Sequence, residues 1–598
     1  MTNLLIVESP KKAKTIAGYL GPEWEVHASV GHVRDLPDKS IGVSPPDFRP
    51  EYVFTGNGKE ICERLSRVAS RCEHVYLGSD DDREGEAIAW HLQQILGLKE
   101  PRRIAFGEVT KSSITKAISE WRKIDVHRVA SQEARRITDR LVGYQVSPTL
   151  QRALGSWDLS AGRVQSVALK IVVELEHKIE QHQALSYYTV EAEFDGGWSA
   201  QWQSGEKHFT DKHLAELVAK AKNFTVLDYE TTHSTSAPFS PFITSTLQQA
   251  ASNALKMRPK ICMETAQSLY QQGLITYMRT DNPNLTDEMI QAVRLYATDH
   301  GLALPPEPRS WKAPEGAQEA HKAIMPTDLS RLEAGETDKE KDLYRLIWLR
   351  TVACQLADAE FKNHKITLES KNTEQPYVFC ATYQELTKPG YKQLMQRDDT
   401  EEAEEGGAPN AALPMMAAGS AITAKQARVK TQKTKAQKRF TEASLIKQLE
   451  RLGVGRPSSY AGIMETITKE RGYVRNKGKT QFLEPTERGL KVYKALEGRF
   501  SFMNVDYTNE LESKLDGIQS GTSKYKAVLS EVYSDLSREI DDFKSHVKPI
   551  HPCPKCGNGL MHTKSAKGSF WSCSGFMDGS CDVALPDKEG TPLLAAQK

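Results

Sequence analysis

Tyr277 and Arg279 stand two residues apart in the run Gly273-Leu-Ile-Thr-Tyr-Met-Arg-Thr-Asp-Asn282. The pattern predicts a short strand over 274–278, and alternate residues of a strand share a face. A phenol beside a guanidinium suits attack on a phosphodiester. The cation favours the phenolate and then the charge on the phosphate oxygens. A second group is acidic: Asp80, Asp82 and Glu84 alternate along Ser79-Asp-Asp-Asp-Arg-Glu-Gly-Glu86. An extended backbone would turn these three carboxylates to one side and Asp81 to the other. Close anions repel one another unless a cation joins them, and oxygen-only donors favour Mg²⁺. The plainer alternative is an acidic helix N-terminus stabilised by the helix dipole. A third group is Cys553, Cys556, Cys573 and Cys581. A tight CxxC pair with two further thiols predicts a tetrahedral Zn²⁺ site. The seven residues between Cys573 and Cys581 make Cys581 the least regular ligand.

These residues need elements to hold them. Met263, Ala266, Leu269 and Tyr270 predict one face of a helix over 261–272, which Gly273 would end. Leu4 to Val7 reads as a buried strand with Glu8 at its carboxyl end, where open α/β sheets place their chemistry. Ser9 and Pro10 are a natural N-cap and first helical residue, and Lys11, Lys12 and Lys14 then begin a helix that could meet phosphates. Residues 75–98 repeat the pattern of apolar strand, polar turn and helix. Residues 443–452 predict a helix ending at Gly453, with another beginning near Ser459, a helix–turn–helix spacing. The acidic and Ala/Pro/Met-rich stretch 397–421 reads as a mobile linker or hairpin tip. Lys425, Arg428, Lys430, Lys433, Lys435, Lys438 and Arg439 form a basic run, either a solvated face or a phosphate contact. Gly472 to Thr480 nearly spells an ATP phosphate loop, but it has five residues between its glycines where that motif has four.

Bulk composition bounds the rest. A chain of 598 residues predicts roughly three to five domains. Hydrophobic residues are 39%, charged residues 26% and the net charge +1, so only local charge can argue for nucleic acid. No run of about eighteen apolar residues occurs, which predicts no membrane span. The N-terminus enters an apolar strand without a basic leader, which predicts a cytoplasmic protein. The other cysteines, Cys62, Cys72, Cys262, Cys354 and Cys380, read as neutral thiols.

Glu8 with Asp80-x-Asp82-x-Glu84 resembles the Toprim domain of topoisomerases, primases and some nucleases. Further blocks resemble type IA DNA topoisomerases, closest to bacterial topoisomerase I. They are Ser29–Pro37, Ala134–Gly143, Leu159–Ser166, Pro241–Gln249, the Tyr277 segment, Thr441–Ile446 and Gly453–Ser458, collinear from Glu8 to about residue 516. The C-terminal cysteines resemble that family's zinc ribbons, with Phe570 and Trp571 as candidates to stack on single-stranded bases.

The resemblance implies a multidomain α/β plus α+β fold, with a Toprim α/β domain in a four-domain toroidal core and a C-terminal zinc ribbon. The implied division is Toprim 1–122; a winged-helix-like DNA-binding domain from 123–184 and 436–545; a β-rich arch from 185–242 and 366–435; a gate over 243–365; and the ribbon over 546–598. It implies an ATP-independent cycle on single-stranded DNA. Tyr277 holds the 5′ phosphate, Arg279 and Lys12 support it, and Glu8 serves as proton donor and then base, its pKa raised by the neighbouring anions. Mg²⁺ falls to Glu8, Asp80, Asp82 and Glu84, and Zn²⁺ to the four cysteines. His32, Arg135, Arg136, Asp139, Ser160, Arg163, Gln165, His321 and Arg456 match positions along the DNA path. No membrane partner is implied, and the ring can act as a monomer. Three departures stand out: Lys322 and Met325 replace an acid and an arginine, and Asn282 replaces a serine. They, with a single zinc site, leave a topoisomerase III-like decatenase as an alternative, the run 425–439 serving as its basic loop. A non-cutting DNA-binding gate and a Toprim nuclease are further alternatives.

Overall fold

The computed structural model describes residues 2–313, 321–371, 373–395, 411–478, 481–566, 568–576 and 579–594. Residues 397–410 of the acidic stretch, Ala320, Lys479 and Thr480 lie outside them.

The N-terminal unit is a four-stranded parallel sheet in the order Trp24–Ala28, Asn3–Val7, His74–Leu77, Arg102–Arg103. The middle strands are almost wholly apolar because both faces are covered. Leu5 and Val7 face one core, while Leu4 and Ile6 face another with Leu65, Ile88 and Leu92. Helix Pro10–Ala17 follows the first strand, capped by Ser9, which accepts from Lys12 N at 3.2 Å. Helix Arg83–Leu96 follows the third. Glu8 and Asp80 therefore leave adjacent parallel strands at the same end of the sheet.

The core that holds Leu5 and Val7 continues into residues 242–354 without a break, through Leu247, Leu269, Tyr270, Ile275 and Met278. A separate core joins Ala134–Val173 to Leu445–Phe543, segments far apart in sequence. A third belongs to a seven-stranded antiparallel sheet, in which the long strands Asn223–Ser236, Ala359–Lys371 and Val378–Lys388 lie side by side. Its edge strand is Gln426–Lys433, paired in register with Ser186–Glu193.

That strand corrects the reading of the basic run as a loop. Lys425 pairs with Asp195 (3.1 Å), Lys430 and Arg428 pair with Glu191 and Glu193, and Arg439 pairs with Glu176 (2.7 Å). Charges opposite one another across strands stabilise the pairing, and charged side chains also blunt an open sheet edge. The helices around Gly453 are as read: Glu442–Arg451, capped by Thr441, then Tyr460–Glu465. The near-miss phosphate loop is instead a hairpin, Val474–Lys477 with Phe482–Pro485.

Candidate active site and zinc centre

Helix Pro259–Gln271 carries Tyr270 to the end of the parallel sheet. The chain then turns at Gly273, with φ of 74°. A Cβ at Gly273 would lie 2.2 Å from the Val109 carbonyl, so only glycine lets the chain pass this close to the N-terminal unit. The predicted strand over 274–278 is not there. Ile275 makes one bridge to Pro326, and Tyr277 N donates to Gly107 O at 2.7 Å. Residues 325–327 run antiparallel alongside, Thr276 N donating to Met325 O at 2.9 Å and Thr327 N to Leu274 O at 3.1 Å, but the pairing stops there and builds no longer ladder. Tyr277 and Arg279 nevertheless both reach the acidic residues, as expected of a common face.

The Tyr277 hydroxyl donates to Asp82 Oδ2 at 2.5 Å. Arg279 donates to Glu84 at 2.8 Å and lies 3.9 Å from Asp82. Asp80 N donates to Glu8 Oε1 at 2.8 Å. Lys12 is no surface lysine: its side chain is 1% exposed and its ammonium is paired with Asp80 Oδ1. The same oxygen accepts the Tyr270 hydroxyl at 3.1 Å. Asp81 points away, as expected, to Arg128 at 2.6 Å. Its carbonyl meets His321 Nε2 at 2.7 Å, and the His321 ring packs edge-on to Tyr277.

The acidic backbone departs from the extended reading. Asp82 is the N-cap of helix Arg83–Leu96, accepting from Gly85 N at 2.8 Å, and Glu84 lies in the first turn. The helix-terminus alternative thus holds for these two, because a carboxylate satisfies the free N–H groups of a helix start. Gly85 has to be glycine: a Cβ there would sit 2.1 Å from the Asp80 carbonyl. Among the described residues, the group in which three or more Cys, His, Asp or Glu ligand atoms converge is the four cysteines. The carboxylates are spread along a row, each against a partner of its own.

Electrostatics follow from burial. Glu8 is pushed from 4.5 up to about 8, mainly by desolvation and then by Asp80, with Lys12 opposing. The expectation that anions raise it holds, but burial contributes most. Burial, the largest influence, pushes Asp80 up, but Lys12, with Glu8 and Arg279, holds it below the usual carboxylate range. Tyr277 lies well above an ordinary phenol because it is buried and faces Asp82 and Asp80; Arg279 pulls it down without prevailing.

The remaining residues read from the sequence fall in two places. His32 lines a cavity of about 310 Å³ with Arg34, Tyr52, Glu84, His91 and Arg136, and Arg136 is held by Asp35 at 3.0 Å. Arg135, Arg163 and Arg456 converge on one helix, Val505–Ser520, which presents Glu512 and Asp516. Asp139 accepts from Arg163 at 3.0 Å. Tyr473 clasps Ser160, its hydroxyl donating to the Ser160 carbonyl and accepting the Ser160 N–H. Gln165 folds back over Gly162. Of the departures, Asn282 is buried and donates to the His321 carbonyl at 2.9 Å, Met325 is buried in the core behind Tyr277, and Lys322 is exposed. Sequence reasoning missed Tyr270, Arg83, Glu512 and Asp516. Tyr270 counted only as a core position, although a phenol four places along an apolar helix face needs a partner. The carboxylates Glu512 and Asp516, four apart on a helix, give no local signal, since their arginine partners lie on distant segments.

The four cysteine sulfurs lie within 4.8 Å of one another, with Cys553–Cys581 at 3.8 Å and Cys556–Cys573 at 3.4 Å. Zn–S bonds of about 2.3 Å separate tetrahedral sulfurs by about 3.8 Å, so the donor set fits zinc. Cys581, the irregular one by spacing, is buried like Cys553 and Cys573, while Cys556 is exposed. Trp571 does not meet the stacking expectation: it is 4% exposed, donates to Asp587 at 2.7 Å and packs against His551 and His562, whereas Phe570 is half-buried.

A family profile described as "DNA topoisomerase" matches residues 123–530, and one described as "Toprim domain" matches residues 3–109. The chain is 42% identical to "DNA topoisomerase I, plasmid" of Xylella fastidiosa, over 98% of this chain and 91% of that protein. It is 36% identical to "DNA topoisomerase 1" of Escherichia coli K12, over 98% of this chain and 72% of that protein. The solved full-length topoisomerase I from Thermotoga maritima superposes with a TM-score of 0.81 at 32% identity, covering 98% of each chain.

Proposed function

The chain belongs to the bacterial type IA DNA topoisomerases, and from that premise we propose that Tyr277 is the nucleophile of its cleavage and religation cycle. Its oxygen attacks a backbone phosphorus, a tyrosine–phosphate bond forms and the bond to the 3′ oxygen breaks. Asp82, 2.5 Å from the hydroxyl, is placed to take the phenolic proton. Glu8, protonated up to about pH 8, gives a proton to the leaving 3′ oxygen, and in resealing it takes that proton back. Arg279 and Lys12 offset charge on the phosphate. The high proton affinity of Tyr277 suits a nucleophile that stays idle until a phosphate draws Arg279 toward it. Phosphodiester energy is kept in the tyrosine ester, so strand passage and resealing need no ATP. Supercoil strain supplies the direction, and negatively supercoiled DNA relaxes.

Glu8, Asp80, Asp82 and Glu84 offer only oxygen donors. That suits Mg²⁺, which uses one or two carboxylates and keeps several waters. Asp80 and Asp82, with Glu8 beside them, would hold it, and there it would screen the charge between phosphate and carboxylates. The four cysteines would hold Zn²⁺. The chain acts as a cytoplasmic monomer on DNA with a single-stranded segment, its gate carrying Tyr277.

One observation carries the reading: a buried tyrosine and an arginine meet a row of carboxylates at the end of a parallel sheet. The test is relaxation of negatively supercoiled plasmid with Mg²⁺ and no ATP. The parent protein is expected to relax it and to leave a protein-linked 5′ end on denaturing quench. Tyr277→Phe is expected to lose both. Relaxation by Tyr277→Phe would reject the assignment.

A further inference from the structure

Asp516 sits where three arginines from separate parts of the chain meet. Its Oδ1 accepts from Arg83 at 2.5 Å and from Arg135 at 2.9 Å. Its Oδ2 accepts from Arg456 at 2.8 and 3.1 Å. Arg83 opens the helix that Asp82 caps, Arg135 lies on helix Val126–Leu141, and Arg456 follows the turn after Glu442–Arg451. One turn back, Glu512 pairs with Arg135 and Arg163, and Asp139 also pairs with Arg163.

The two carboxylates of this helix differ in burial. Glu512 is 1% exposed, whereas Asp516 is 40% exposed. Four arginines face three carboxylates, and Asp281 lies within electrostatic reach of Arg456 and Asp516. Arg135 Nε is buried with no acceptor among the described residues. A fan of guanidinium groups around one solvent-reaching carboxylate has the donor geometry of a phosphate site.

We infer that Asp516 is an internal stand-in for a DNA backbone phosphate, and that Arg83, Arg135 and Arg456 form the subsite it occupies. Exchange of a carboxylate for a phosphodiester replaces one negative charge with another, so the arginines keep their counter-charge. Glu512 stays in place and keeps the fan in shape. The site adjoins Asp82 and Glu84 through Arg83, so a strand held there runs toward Tyr277. The inference rests on the reading that Arg135 and Arg456 face DNA, and it adds Arg83 and the competing carboxylate.

The test uses the full chain with Tyr277→Phe, so that DNA is bound and not cut. Fluorescence anisotropy follows a labelled single-stranded oligonucleotide across a salt series. Asp516→Asn is expected to bind about tenfold tighter, the worth of one good charged contact. Arg83→Ala is expected to weaken binding and to make the log–log salt slope shallower by about 0.7, the share of one single-strand phosphate. Asp516→Asn with the parent's melting temperature and unchanged or weaker affinity would overturn the inference. If Asp516→Asn folds poorly, Arg83→Ala decides: unchanged affinity and slope would overturn it. Arg135→Ala and Arg456→Ala that bind like the parent would instead reject the underlying reading of the DNA path.

Discussion

Glu8 keeps a proton near neutral pH because its strand end is desolvated and Asp80 lies beside it. A carboxyl raised from 4.5 to about 8 makes its contribution to stability below about pH 4.5. That contribution is lost as pH climbs to about 8, because the folded chain binds the proton that the unfolded chain has released. Glu8→Gln holds a neutral group there at every pH. Without added Mg²⁺, the stability advantage of Glu8→Gln over the parent should therefore grow from pH 4.5 to 8 and level off above it. Cleavage by the parent, read as covalent adduct, should decline above about pH 8 as the proton donor is lost. A parent and Glu8→Gln pair with parallel melting curves across this window would remove the physical basis for Glu8 as acid.

At the scale of elements, the C-terminal segment that carries the four cysteines is part of the body of the protein. Ile550 N donates to Ala153 O at 3.0 Å and His562 N to Gly155 O at 3.1 Å, while Trp157 donates to Thr563 at 3.3 Å. Gly155, with φ of 67°, lets the Leu560 carbonyl and the Trp571 ring approach closely. This segment's own core is small, holding Leu560, Trp571, Cys553, Cys573 and Cys581, so a metal on the four cysteines would supply much of its stability. Zinc removal, or Cys573→Ser, is expected to speed hydrogen exchange in residues 550–573 by at least about tenfold, with a smaller rise at 153–157. Exchange in the parallel sheet should not change. Loss of protection at Leu4 to Val7 instead would mean that the metal supports the whole fold.

Across the whole molecule, the segment 242–354, the proposed gate, is fastened in two different ways. It shares an apolar core with the N-terminal unit, and it meets the helix pair at 442–465 through charges. Arg258 reaches Glu442 at 2.7 Å and Thr468 at 3.1 Å, Lys260 reaches Glu465 at 3.3 Å, and Ser245 reaches Glu450 at 2.6 Å. In the proposed cycle, strand passage requires these contacts to part. Arg258→Glu should raise the open-gate population about tenfold, since opposing two partly buried acids costs at least 1.4 kcal/mol. Arg258→Glu with Glu442→Arg should restore much of the closed state. Distance measurement between labels on the gate and on helix Glu442–Arg451 reads both. Equal populations in the parent and Arg258→Glu would show that the ionic contacts do not latch the gate.

Tyr277, Arg279, Glu8, the 80–84 acids and the cysteines were legible because each lies in a short run whose spacing has a local meaning. Ser9, Pro10, Thr441 and Gly453 punctuate helices by local backbone chemistry, and the structure keeps those boundaries. The strand around Tyr277 shrank to a single bridge because its pairing with residues 325–327 stops before Tyr277, and no local pattern reports how far a partner runs. The basic run was misread for the same reason, since its acidic partners lie more than 200 residues away. Tyr270 on Asp80, Arg83 with Arg456 on Asp516, and the burial that lifts Glu8 all depend on distant segments meeting. The sequence by itself determined which chemical groups the protein has and the local elements that carry them. The tertiary structure alone decided which charges are buried and which partners they face, because desolvation and pairing exist only once the chain has closed on itself.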